Sequence, residues 1–136
     1  YDPIYPMGGF LTQIGRYAST LTPIPKDTTV VVEIGANDFL NLLDSLPVPP
    51  TPAQFTLTTL QGLQQTIGGV QALQELGAER IVLWNLPPLY ATPLFNNPFF
   101  GNVNLLRPAF FQVTETYNAN LLEQVKSQNL ISEGNK

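Results

Sequence analysis

The sequence predicts an α/β fold with a parallel sheet, and three observations support that reading. Residues 28–34, TTVVVEI, form an almost unbroken run of β-branched and apolar side chains, the pattern of a strand buried on both faces. A second short apolar run, RIVLWN, occupies 80–85. Between them, residues 53–76 repeat apolar side chains at helical spacing, with Leu60, Leu63, Ile67, Val70 and Leu73 on one face, and end at Gly77, where a helix C-terminus favours glycine. Strand, long helix, glycine, strand is the order of a βαβ unit, whose two strands lie parallel in one sheet.

The remaining elements follow in chain order. Residues 1–9, YDPIYPMGG, read as an irregular lead-in. Phe10, Leu11, Ile14, Tyr17, Ala18 and Leu21 recur at helical spacing, so a helix is expected over 9–21, ended by Pro23 and Pro25. Phe39–Leu46 is a short helical candidate, and the proline-rich VPPTP at 48–52 is a connection. Gly68–Gly69 inside the long helix lowers local helix stability and permits close packing. A loop of about twenty residues follows the second strand, long enough to suggest a functional role or disorder. The last helix is expected over 104–127, with Leu106, Phe110, Val113, Tyr117, Leu121 and Val125 on one face.

Composition narrows the chemistry. The 136 residues are 43% hydrophobic and 12% charged, enough for one domain with a core. Six Lys and Arg against ten Asp and Glu give a net charge of −4, which argues against nucleic acid as a partner. There is no cysteine and no histidine, hence no disulfide, no thiolate, no imidazole base and neither of the commonest transition-metal ligands. The uncharged window 81–106 is too interrupted by Pro87, Pro88, Pro93, Pro98 and Gly101 to span a membrane. Residue 1 is Tyr rather than Met, from which a processed or partial chain is expected.

Three stretches are candidates for function. Gly35-Ala36-Asn37-Asp38 lies at the carboxyl end of the first strand, where open parallel sheets bind ligands, and an Asn there can aim its amide at a reacting oxygen. The alternative is that Asn37 or Asp38 caps a helix starting near Phe39. Asn-Leu-Pro-Pro after the second strand places rigid Pro87 and Pro88 at a second strand end, or is a plain turn. Phe95, Phe99 and Phe100, in an uncharged loop, suit an acyl chain, or simply cover the core.

The strings QIGRY, VVVEIGANDFL, LGAERIVLWNLPPLYATP and TETYNANLLEQV, in this order and spacing, resemble the GDSL esterase/lipase family, the SGNH hydrolases, over about residues 8–130. Gly-x-Asn-Asp after a strand matches the family's third block, and the Leu-Pro-Pro-Leu and Thr-Pro string is similar to that of its plant and secreted bacterial members. The resemblance implies a three-layer α/β/α sandwich with a parallel sheet, and hydrolysis of acyl esters without metal or cofactor. A Ser attacks, a His helped by an Asp takes its proton, and the oxyanion is held by two backbone N–H groups and the Asn of Gly-x-Asn-Asp. Only Asn37, preceded by Gly35, carries over from that machinery, and it suits the task because a preorganised amide donor is worth ~10²–10³ in rate.

The departures are equally specific. No Gly-Asp-Ser block is present, and Ser19, Ser45, Ser127 and Ser132 lack its context. Gly8 and Gly9 are the nearest stand-ins for the second-block glycine. The Asp-x-x-His block is missing along with every histidine. The resemblance therefore implies the central part of one hydrolase domain, secreted or at the cell surface, whose sheet edge is covered by other segments or other copies. On this reading the chain alone is inactive. A non-catalytic binding or scaffold module on the same fold is the alternative.

Overall fold

The strands form where the alternation of elements places them. In the computed structural model, which describes residues 8–97, 103–128 and 130, β1 (Thr29–Val32) and β2 (Arg80–Leu83) pair in parallel. Thr29 lies opposite Arg80 and Val32 opposite Leu83, and the Trp84 N–H extends the ladder to the Val32 carbonyl at 2.9 Å. The chain is thus α/β, with a parallel sheet of two strands among the described residues.

The connection is one long helix, α3 (Pro52–Glu75), after α1 (Phe10–Ala18) and α2 (Ala36–Leu40). Its start is set by a reciprocal cap. The Thr51 hydroxyl accepts the Gln54 N–H at 3.3 Å, and the Gln54 side-chain oxygen accepts the Thr51 N–H at 2.7 Å. Pro52 occupies the first helical position, where its missing N–H leaves no bond unmade. At the far end Gly77 turns to φ +101°, so that its own N–H reaches the Gln74 carbonyl and the Ala78 N–H reaches the Leu73 carbonyl, both at 3.0 Å. Helix α4 (Arg107–Ser127) packs beside α3, burying Phe110, Val113, Tyr117, Leu121 and Val125 as the spacing predicts.

Two cores result. One lies between α1, the sheet and the C-terminal half of α3, built from Ile14, Ile24, Val32, Leu73 and Ala78. The other fills the space between α2, α3 and α4 with Phe39, Leu63, Ile67, Phe110 and Tyr117, and the loop after β2 closes it with Leu86, Leu89 and Phe95. All three long helices cover the same face of the sheet, over Val30, Ile81 and Leu83. The other face is open: Val31 is 60% exposed, its partner Val82 43% and Trp84 55%. The described residues therefore form two layers, helices on sheet.

Several boundaries differ from the sequence reading. Helix α1 stops at Ala18 rather than 21. The Ser19 and Thr20 hydroxyls bond back to the Arg16 and Tyr17 carbonyls, and the chain then leaves through Leu21, at φ +56° and 92% exposed. The short helix expected over 39–46 begins earlier, at Ala36, and tightens into a 3₁₀ turn over Asn41–Ser45. Leu60 is not on the buried face of α3: that stripe runs through Thr59, Gly62, Leu63, Thr66 and Ile67, and Leu60 sits beside it in solvent. The long loop after β2 contains tight 3₁₀ turns at Leu89–Ala91 and Pro93–Asn96, and a third at Asn104–Leu106 leads into α4. No helix among the described residues is long and apolar enough to cross a membrane.

Candidate active site

At the carboxyl end of β1 the chain must turn directly into α2. Gly35 makes the turn at φ +104°, in the left-handed region where a side chain is strained, and it is the N-cap residue of α2. Asn37 and Asp38 therefore lie inside the first turn of the helix and not at its cap. Neither side chain makes a hydrogen bond to another described residue, and no side chain caps α2. The capping alternative fails for both, because the helix starts before them.

Asn37 is exposed, and it faces open space. It lines a cleft of about 710 Å³ whose walls come from three places: Gly8, Gly9, Phe10 and Gln13 at the start of α1, Glu33 to Asp38 with Asn41, and Gly62, Gln65 and Thr66 on α3. Pro87 completes the lining from the exit of β2. Two residues along a helix turn the side chain through about 200°. Gly35 and Phe39 therefore share the buried side of α2, and Asn37 projects from the other side. The charge of the cleft is one-sided, with Glu33 and Asp38 present and no Lys or Arg in the lining. Partial burial removes water from the Asp38 carboxyl and raises it above its ordinary value of 3.8.

The floor beneath this turn was not foreseen. Tyr117 of α4 is buried, and its hydroxyl pairs with the Thr66 hydroxyl at 2.9 Å. Burial raises the Tyr117 phenol, the Thr66 bond opposes that rise, and the nearby Asp38 charge adds to it. The adjacent Asn118 holds the exit of β2: its oxygen accepts the Leu86 N–H at 2.7 Å and its amide donates to the Leu86 carbonyl at 3.0 Å. One available signal was the interruption of the apolar stripe of α3 by Gly62 and Thr66, small or polar residues one turn apart, both of which line the cleft.

Of the other residues chosen from sequence, Pro88 is exposed and absent from the cleft lining. Phe95 is 1% exposed and packs against Phe110 with ring centres 4.7 Å apart and planes tilted by 52°, so it covers the core and presents no surface to an acyl chain. Phe99 and Phe100 lie outside the described residues. A separate apolar groove of about 410 Å³ runs between Phe55 and Leu60 of α3 and Leu106 and Val113 at the other wall, and none of the described candidate residues lines it.

The family described as GDSL-like Lipase/Acylhydrolase matches residues 6–133. No curated protein and no solved structure matches the chain.

Proposed function

The chain belongs to the GDSL-like lipase/acylhydrolase family, and on that premise we propose that it supplies the oxyanion-binding part of a serine-type ester hydrolase. The observation that carries this reading is Asn37: a side-chain amide with no hydrogen-bond partner among the described residues, standing in an open cleft at the carboxyl end of a parallel strand. In acyl transfer a Ser oxygen adds to the ester carbonyl carbon and the carbonyl oxygen takes the negative charge. The Asn37 amide donates to that oxygen, and a backbone N–H at Gly8 or Gly9, which share the cleft, is the second donor. A His accepts the Ser proton and passes it to the departing alcohol, and water then releases the acid. The chain contains no His, and no described Ser lines the cleft. On this reading the base comes from outside residues 1–136, and the nucleophile comes with it.

Glu33 and Asp38 without a balancing cation favour a neutral acyl ester over an anionic one, and they help expel the carboxylate product. The apolar part of the wall, Phe10, Ile34, Ala36 and Pro87, suits the acyl group. The open face at Val31, Val82 and Trp84 supports a further layer of helices, completing a three-layer sandwich in which residues 1–136 are the central part of a single domain. The Leu-Pro-Pro-Leu string at 86–89 supports a secreted or cell-surface location by analogy with the family's members outside the cytoplasm.

The test is Asn37→Ala in the protein expressed from its full reading frame, assayed on a neutral short-chain aryl ester. The expected result is a fall in kcat of ~10²-fold or more with little change in KM, since the lost bond exists mainly in the transition state. An unchanged kcat would remove the catalytic role and leave the cleft as a binding site.

A further inference from the structure

We propose that Tyr117 and Asn118, consecutive on α4, are positioning residues that together fix where the Asn37 amide points. This rests on the oxyanion reading of Asn37 and extends it to two residues that never face the cleft. Tyr117 supports α2 at both ends of its buried side. A Cβ at position 35 would lie 3.5 Å from the Tyr117 hydroxyl, and the Phe39 ring meets the Tyr117 ring edge-on at 5.7 Å. The ring is held in turn by α3, with the Thr66 hydroxyl on its oxygen at 2.9 Å and the bare Cα of Gly62 against its edge, where a Cβ would be 3.2 Å away. A position needing only apolar volume is filled by Phe; a buried hydroxyl has to be given a partner, and here the partner fixes the tip of the ring under the Gly35 turn.

Asn118 works on the same turn from its other side. The second atom that a Cβ at position 35 would meet is Leu86 Cδ1, also at 3.5 Å. Leu86 is held by both of its backbone polar groups on the Asn118 carboxamide, and Pro87 after it lines the cleft. Two neighbouring residues of one helix thus grip the exits of both strands. The donor between them inherits its direction from that grip. Misplacing a catalytic group by about 1 Å lowers a rate by up to about 10²-fold.

The experiment is a double-mutant cycle on kcat in the protein expressed from its full reading frame, with a neutral short-chain aryl ester as probe. Tyr117→Phe is expected to lower kcat about tenfold with KM held within about twofold, and to change kcat by less than about twofold once Asn37 is already Ala. Asn118→Ala runs through the same cycle, reaching the turn through Leu86, and serves if Tyr117→Phe does not fold. Equal losses in both backgrounds would mean that α4 acts on stability alone and would overturn the proposal while leaving Asn37 catalytic. No loss in the Asn37 background would also overturn it. A parent without turnover, or a neutral Asn37→Ala, removes the oxyanion reading and the proposal together.

Discussion

At position 35 a hydrogen in place of a side chain lets the chain leave β1 and enter α2 after only three residues, Glu33, Ile34 and Gly35. Gly35→Ala is expected to destabilise the fold by about 1–2 kcal/mol, from the left-handed backbone rather than from a clash, since its Cβ would meet its neighbours at 3.5 Å, an ordinary contact. Denaturant unfolding at constant slope measures this, and a loss below a few tenths of a kcal/mol would contradict it. Asp38 gives a prediction of opposite sign. Its folded carboxyl titrates above the ordinary 3.8, so between that value and its raised one the native state holds the proton more tightly than the unfolded chain. Stability therefore falls as pH rises through that window, and the deficit is complete above it. Asp38→Asn should raise Tm at neutral pH and have no such effect well below pH 3.8; equal shifts at both would refute the assignment. The sequence marked Gly35 and Asn37 as candidates through strand-end position and the family resemblance. It could not show that glycine itself takes the cap position, because that depends on where the backbone turns left-handed.

The helices divide into those whose ends are written locally and those that are not. Both ends of α3 are local: the Thr51–Gln54 box at one and the Gly77 turn at the other. Thr51→Ala should lower stability by about 1 kcal/mol. Gly77→Ala should lower it by more than about 1 kcal/mol, because its Cβ would press to 3.2 Å from the Ile24 carbonyl as well as straining the turn. Thermal unfolding of the two variants should rank them in that order, and the reverse ranking would show that the close approach to Ile24 relaxes freely. The Gly77 signal, with apolar periodicity, made the strand–helix–strand unit readable in advance, while the Thr51–Gln54 box was not read from the sequence. The end of α1 was not readable. Leu21 continues the helical spacing, but the Ser19 and Thr20 hydroxyls compete for the last carbonyls and turn it out to solvent. Leu60 was misread for a different reason: small and polar Thr59, Gly62 and Thr66 belong to the buried stripe, so hydropathy alone drew the line one residue to the side.

For the molecule as a whole, the run Val30-Val31-Val32 reads as a strand covered on both faces, whereas the described helices cover only one. Val82→Lys should therefore have opposite effects in two settings. In residues 1–136 alone it should reduce self-association, seen by light scattering; in the protein from the full reading frame it should lower Tm. Two effects of the same sign would refute a further layer on that face. Residues 1–136 alone should also fail to hydrolyse a short-chain aryl ester above a denatured control, because a Ser hydroxyl without a base is a weak nucleophile. Turnover that copurifies with the chain and is blocked by a serine-directed phosphonate would contradict this. Phe95 shows the limit of reading from composition: a loop aromatic can serve a ligand or a core with equal plausibility until Phe110 is known to lie beneath it. The grip of α4 on the two strand exits, finally, has a consequence in time. Thr66 precedes its partner by 51 residues and Leu86 precedes Asn118 by 32. A ribosome delivers the Gly35 turn first and the helix that sets it much later. A nascent chain arrested before Tyr117 should thus stay open to protease between Gly35 and Asn41, and one arrested after α4 has emerged should not.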